Sequence, residues 1–195
     1  MKTFALAAVA GLATVATAGS PSLTIVPSST MVDTSGGAVT ITMTVFGDAG
    51  FGSHMLGGAF GVAGSGDTGL VGDMSWAAAA WSQFNTDGGY AGNGSYNTVV
   101  FGQLVLPPIF LPGAGSENGG AIGSFTLVID GAGTVDFQLT AGSPFSLEGV
   151  DAATGATQND GGNISLGSAS ITAVPAPSAM ALLGLGGIVA GRRRR

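Results

Sequence analysis

The sequence predicts a mostly β protein: a single antiparallel β-sandwich with one short helix, an N-terminal signal helix and a C-terminal hydrophobic helix. Three observations support this prediction. Several short segments alternate apolar and polar residues, and an uncharged apolar run lies near each end. Glycine makes up 36 of the 195 residues, without the one-in-three period of collagen. We therefore divide the chain into a signal peptide (1–18), a β-sandwich domain (19–173) and a C-terminal sorting segment (174–195).

The charged residues follow the same division. The five basic residues are Lys2, Arg192, Arg193, Arg194 and Arg195, whereas all 11 acidic residues lie between Lys2 and the arginines. The predicted domain is therefore anionic, and both ends of the chain are cationic. This asymmetry is typical of targeting signals that flank an exported domain. It also excludes nucleic acid as a partner, because the domain has no cation to contact phosphate.

The first 18 residues have the three parts of a secretory signal peptide in the expected order. Lys2 is the basic part, residues 4–15 are apolar, and Ala16-Thr17-Ala18 provides the small residues that signal peptidase requires. We expect cleavage between Ala18 and Gly19. The alternative is a buried N-terminal helix, which the coincidence of the three parts disfavours.

Alternating segments predict the strands of the domain. In the clearest segment, residues 39–45, valine, isoleucine and methionine lie on one face and threonines on the other. That pattern is typical of an antiparallel sheet with one wet face. The predicted strands are residues 22–26, 39–45, 59–63, 98–106, 125–129, 135–139 and 164–172. The predicted core contains Ile41, Val45, Phe125, Leu127, Phe137 and Leu139.

Two local patterns refine this prediction. The linker Asp130-Gly131-Ala132-Gly133 separates two alternating segments and therefore predicts a β-hairpin. Residues 74–84 read MSWAAAAWSQF, which predicts the one short helix, with Asp73 as its N-cap.

The residue inventory argues against an enzyme. The chain has one histidine, His54, and no cysteine, and no Gly-x-Ser-x-Gly elbow occurs. A Ser-His-Asp site would have to use His54, and a zinc site would lack its usual ligands. Paired carboxylates are available by residue type, so a hydrolase is kept as the least favoured alternative. We predict no catalytic residues and no metal site.

Calcium is the one cofactor that the loop acids could bind. Asp87 and Asp160 lie in glycine-rich loops, where carboxylate and carbonyl oxygens can surround this ion. Neither aspartate follows the spacing of an EF-hand. The favoured alternative is an Asx turn, in which the carboxylate accepts a backbone N–H nearby.

All four tryptophans and tyrosines lie close together in the sequence. They are Trp76, Trp81, Tyr90 and Tyr96. Exposed rings in such a cluster could stack on a sugar, which makes these residues candidate glycan contacts. The favoured alternative is that Trp76 and Trp81 pack into the domain, so we expect at least one of them to be buried.

The C-terminal segment has three parts. Val174, Pro175, Ala176, Pro177 and Ser178 form a short proline-containing motif. The uncharged run 178–190 follows, and Arg192 to Arg195 end the chain. As a helix the run would be roughly 20 Å long against a hydrocarbon core of roughly 30 Å. It suits a transient membrane anchor, with the arginines as the stop on the cytoplasmic side.

This arrangement resembles the PEP-CTERM sorting signal, although Ala176 stands where that motif has its glutamate. The resemblance implies an exported protein of a bacterium with an outer membrane. It also implies recognition by an exosortase, a membrane-embedded processing enzyme, and a role at the cell surface or in the extracellular matrix.

The domain itself is similar in the order of its elements to cohesin-like and bacterial Ig-like sandwich modules. An opening strand precedes a Thr/Val strand, and a strand that begins at residues 120–125, GAIGSF, leads into a late hairpin. Together these features predict an exported structural or adhesive protein of the cell envelope, transiently anchored in the inner membrane. The alternative is a carbohydrate-binding module that acts on exopolysaccharide.

Overall fold

The computed structural model describes residues 19–106 and 111–174, which form fourteen strands and one 3-10 turn, Thr68–Leu70. The first seven strands are β1 (Ser22–Pro27), β2 (Met31–Asp33), β3 (Val39–Asp48), β4 (His54–Gly66), β5 (Val71–Ala78), β6 (Thr86–Asp87) and β7 (Tyr90–Gly92). The others are β8 (Ser95–Gly102), β9 (Ala121–Ile129), β10 (Gly133–Ala141), β11 (Glu148–Val150), β12 (Thr157–Asn159), β13 (Ser165–Leu166) and β14 (Ser168–Val174). The predicted mostly β class is confirmed. Both predicted terminal helices lie outside the described residues.

The strands form the two sheets of a sandwich. The first sheet has the order β13-β1-β3-β9-β5, and the second has the order β12-β11-β4-β10-β14-β2. Strand β8 pairs with β4 on the side opposite to β10, and β6 and β7 pair with β8. Among the described strands, only the β1–β13 and β14–β2 pairs are parallel. The predicted antiparallel β-sandwich is therefore confirmed.

The apolar faces of the two sheets meet in one core. All six predicted core residues are buried there, with Phe125, Leu127 and Phe137 completely covered. At its centre the rings of Phe60 and Phe125 lie edge to face, with centroids 6.2 Å apart. Such burial of large side chains is the main favourable term in the stability of a domain without disulfides.

The predicted helix is wrong, because the first half of its sequence is strand β5. Met74 pairs in register with Leu127 and Trp76 with Phe125, both on β9. Met74 is buried and Trp76 half-buried, while Ser75 and Ala77 face solvent. The run of alanines favours a helix locally. Only an extended chain, however, can form backbone hydrogen bonds with the edge of β9 and place both large side chains on the core.

The predicted hairpin at residues 130–133 is also wrong. Strand β9 pairs with β3 and β5 in the first sheet, whereas β10 pairs with β4 and β14 in the second. The linker therefore crosses from one sheet to the other. The two strands bury large apolar side chains from opposite sides of the core, and the glycine-rich linker is long enough to allow this.

The observed strands differ from the predicted ones in extent; the strand predicted at 59–63, for example, is the much longer β4, His54–Gly66. The strand predicted at 98–106 begins earlier and ends at Gly102. The strand predicted at 164–172 is divided at Gly167, where the chain leaves β1 in the first sheet and joins β10 in the second. A Cβ at Gly167 would lie 3.0 Å from the Cα of Thr24, so a larger residue here would force the backbone of β1 to shift.

Candidate functional site: the two ends of the sandwich

The strands define two opposite ends of the domain. Gly66, Gly133 and Val174 lie at one end, which we call the tail end. Gly57 and Gly102 lie at the other end, which we call the tip. Since a strand rises about 3.3 Å per residue, residues 57–66 of β4 separate the two ends by roughly 30 Å.

At the tail end the chain leaves the sandwich from a fixed strand. Val174 aligns with Asp33 on β2, and its carbonyl oxygen accepts the N–H of Thr34 at 3.3 Å. The Thr34 hydroxyl donates in turn to the Gly131 carbonyl at 2.5 Å. The predicted sorting residues Pro175, Ala176, Pro177, Ser178 and Arg192 to Arg195 lie outside the described residues, as do Ala16 and Ala18 of the signal site. Gly19, the predicted mature N-terminus, is exposed.

At the tip a glutamine joins the two described segments that flank residues 107–110. The buried Gln103 amide donates to the Met55 carbonyl at 2.7 Å and accepts the N–H of Gly113 at 2.6 Å. In these two segments Leu104, Leu106 and Leu111 are exposed. The sequence-based site predictions did not include these residues, although residues 104–112 read LVLPPIFLP and contain no polar side chain.

The predicted glycan contacts belong to the core. Trp81 is 5% exposed and Tyr96 is 4% exposed, while Trp76 and Tyr90 are half-buried and pack against the core. The Trp81 indole N–H donates to the Ala121 carbonyl at 2.8 Å. The prediction that at least one tryptophan is buried is confirmed. A buried ring cannot stack on a sugar, so Trp81 and Tyr96 offer no binding platform in this conformation.

Tyr96 is held by Asp87. Its hydroxyl donates to the Asp87 carboxylate at 2.7 Å. Burial of the ring, and next this hydrogen bond and the negative charge of Asp87, raise the pKa of Tyr96 to about 12. The same carboxylate oxygen accepts the N–H of Gly89 at 2.8 Å, the hydrogen bond of an Asx turn.

Asp160, the other candidate calcium ligand, has a structural role. Its carboxylate is buried and accepts the N–H groups of Ser146 at 2.8 Å and Leu147 at 3.1 Å. The second oxygen accepts the N–H of Gly162 at 2.9 Å. Among the described residues, no three His, Asp or Glu side chains are grouped closely enough to hold a metal ion.

His54 lies at the tip, beside two polar side chains. Its Nδ1 is 2.8 Å from the Ser53 hydroxyl and its Nε2 is 3.9 Å from Glu117 Oε1. Ser53 is the adjacent residue on an exposed loop, and the Glu117 distance exceeds that of a hydrogen bond. This is the environment of a surface histidine between local partners, and we assign it no catalytic role.

Sequence comparison identifies the end of the chain. Residues 173–195 match the family model of the PEP-CTERM protein-sorting motif. The chain carries a PEP-CTERM sorting motif. The motif therefore begins within β14, at the tail end of the sandwich, and it marks an exported protein that is sorted to the cell envelope. No curated protein sequence matches the chain.

Comparison with solved structures supports the fold. The seventh ScaB type I cohesin from Pseudobacteroides cellulosolvens superposes with a TM-score of 0.53 at 15% sequence identity, covering 82% of this chain and 96% of that one. A type I cohesin–dockerin complex from Clostridium thermocellum gives a TM-score of 0.38 at 10% identity, covering 78% and 99%. The ScaB cohesin superposition shows that the body is similar to a cohesin module in its β-sandwich fold. Within residues 19–106 and 111–174 we find no helix long and apolar enough to cross a membrane.

Proposed function

We propose that this protein is an exported structural or adhesive component of the cell surface or extracellular matrix. The observation that carries the proposal is the PEP-CTERM motif at residues 173–195, which continues directly from the last strand of a folded sandwich. An enzyme reading this motif would find it at the fixed tail end, away from the tip. The similarity of the body to a cohesin module supports a binding or adhesive role rather than a catalytic one.

The chemistry of the two termini suggests a sequence of processing steps. Signal peptidase cleaves between Ala18 and Gly19 as the anionic domain crosses the inner membrane. The uncharged run 178–190 then holds the chain in that membrane, because Arg192 to Arg195 remain on the cytoplasmic side. An exosortase-like enzyme reads residues 174–178, separates the domain from its anchor and passes it to the outer surface.

The carbohydrate-binding alternative receives no support from the aromatic cluster. Trp81 and Tyr96 are buried, and both make hydrogen bonds within the domain. The domain also has acidic residues and no lysine or arginine, so an acidic exopolysaccharide would be repelled. Packing in the core therefore explains Trp81 and Tyr96 better than glycan recognition does.

The test changes the charge of the tail and leaves the domain intact. Replacing Arg192 to Arg195 by glutamine should stop sorting, because nothing then holds the end of the chain on the cytoplasmic side. The matched control replaces the same four residues by lysine, which preserves the charge. Cell fractionation and surface labelling give the readout. Delivery of the glutamine variant to the surface at the native level would contradict the proposal.

A further inference from the structure

The loops at the tail end are held together around the strand from which the chain leaves the sandwich. Thr34, which is 7% exposed, donates its N–H to the Val174 carbonyl at 3.3 Å and its hydroxyl to the Gly131 carbonyl at 2.5 Å. The Asp67 carboxylate accepts the N–H of Thr134 at 2.9 Å, which fixes the end of β4 to the start of β10. We call residues 34–37, 67–69 and 130–132 the tail-end surface.

Most of the tail-end surface faces solvent. Its exposed residues include Ser35, Gly36, Gly69, Asp130 and Ala132. The described neighbours leave room there, because a Cβ added to Gly36 or Gly69 would meet no atom within 4 Å. A surface that is already fixed loses little conformational entropy when a partner covers it. The tail-end surface can therefore bind a partner without rearrangement of the sandwich.

The length of chain between the sandwich and the apolar run limits where this surface can lie. Only residues 175–177 separate Val174 from the uncharged run 178–190. Three residues span at most roughly 11 Å, and the polar layer of a bilayer is about 5–8 Å deep on each side of its hydrocarbon core. When the run lies in the membrane, the tail-end surface is therefore within a few ångströms of the bilayer surface. An enzyme that reads the motif at that place must lie against this surface.

The charge of the tail end favours a protein over lipid as the contact. Asp33, Asp67 and Asp130 are exposed there, and the domain has no lysine or arginine. Anionic lipid headgroups would repel these carboxylates. A membrane protein with a basic surface outside the cytoplasm would attract them instead, and this attraction would guide the motif to its reader.

We propose that the tail-end surface docks on the membrane-embedded processing enzyme that reads the sorting motif. The enzyme then recognises a folded domain together with a linear sequence, and its docking surface is basic. This inference rests on the proposed function, because it requires that an exosortase-like enzyme removes Arg192 to Arg195. The experiments below change the contact and leave the motif and the arginines intact.

The first experiment lengthens the connection between the sandwich and the motif. A ten-residue Gly/Ser spacer followed by a second Ala-Val pair is inserted after Val174, so that the enzyme still meets the sequence AVPAPS. Pulse-labelling and intact-mass analysis follow the loss of Arg192 to Arg195 from the full-length chain in cells. Because docking contributes to recognition, we expect the spacer to slow this loss at least threefold. An unchanged or faster rate would overturn the proposal, since a reader of the linear motif alone gains access from a longer connection.

The second experiment enlarges the tail-end surface. Gly36→Trp with Gly69→Trp adds two large side chains where the sandwich has room for them, and it should slow processing at least fivefold. Thr157→Trp with Gln158→Trp is the matched control on β12, where the side chains are exposed beside the tip, and it should change the rate less than twofold. Thermal melts verify that each variant is folded. Equal rates for the two pairs of substitutions would contradict docking.

The third experiment identifies the partner by photo-cross-linking in cells. Gly36 is replaced by the photoreactive residue benzoylphenylalanine, and the same replacement of Gln158 is the control. Position 36 should cross-link to the membrane protein whose deletion stops removal of the arginines, and position 158 should not. Cross-linking of position 36 to lipid alone, or of both positions to the enzyme equally, would overturn the proposal.

The outcomes separate this inference from the proposed function. Native rates for the spacer variant and the tail-end tryptophan variant, with normal delivery to the surface, would remove docking and leave the proposed function intact. Delivery of the Arg192 to Arg195 glutamine variant at the native level would remove the proposed function itself.

Discussion

Replacing Phe137 by alanine tests the core of the sandwich most sharply. The Phe137 side chain is completely buried in the middle of β10, between Gly64 on β4 and Ala169 on β14. Its ring also lies 3.6 Å from the position that a Cβ on Gly94 would occupy. These neighbours have small side chains or none, so they cannot move in to fill the space that the ring leaves. Phe→Ala substitutions in a core lower the free energy of unfolding by about 3–5 kcal/mol, and we expect a loss in the upper part of that range.

Urea unfolding followed by tryptophan fluorescence measures this loss. At about 2–4 °C per kcal/mol for a domain of this size, the melting temperature should fall by roughly 10 °C or more. Asp136→Asn is the matched control on the same strand, because Asp136 faces solvent, and it should change stability by less than about 0.5 kcal/mol. A Phe137→Ala loss below about 1 kcal/mol would refute the placement of β10 across the core from β9.

Three further predictions follow from described contacts. Gly123→Ala should cost about 1–3 kcal/mol, since its Cβ would overlap the Trp76 ring, whereas Gly69→Ala has open space; thermal melts compare the two variants. Asp160→Ala leaves the N–H groups of Ser146 and Leu147 buried without their acceptor and should lower the unfolding free energy by about 1–3 kcal/mol for each. Added calcium should not raise the melting temperature of the native protein. Calorimetry measures both effects. Folding raises the pKa of Tyr96 from 10.0 to about 12. The contribution of this shift to the free energy of unfolding should therefore be complete below pH 10 and be lost between pH 10 and 12. Alkaline unfolding of Tyr96→Phe should lack that component, and an unchanged pH dependence would contradict it.

The fold class could be predicted from the sequence because alternation directly reports which face of a strand is buried. Of the four residues of β3 predicted to share one face, Ile41, Met43 and Val45 are buried and Val39 is half-buried. Pairing between distant strands is not encoded locally, which is why the linker at residues 130–133 predicts a hairpin that does not form. The same limit applies to residues 74–84, where the alanine run favours a helix but the edge of β9 imposes a strand.

The candidate sites were predictable to different degrees. The sorting motif is read as a linear sequence, so its three parts can be identified from the order of the residues alone. The exposure of the leucines at the tip depends on how Gln103 joins Gly113 to β4. These hydrogen bonds connect Gln103 to a residue ten positions later and to a strand 48 positions earlier. Sequence alone could flag residues 104–112 as apolar, but it could not show that Leu104, Leu106 and Leu111 are held at the surface.

Intact-mass analysis of the protein extracted from the cell surface tests the central claim most directly. We predict a mature chain that begins at Gly19 and lacks Arg192 to Arg195, because signal peptidase and an exosortase-like enzyme have each removed one end. A surface-extracted chain that still carries both Met1 and Arg195 would contradict the account.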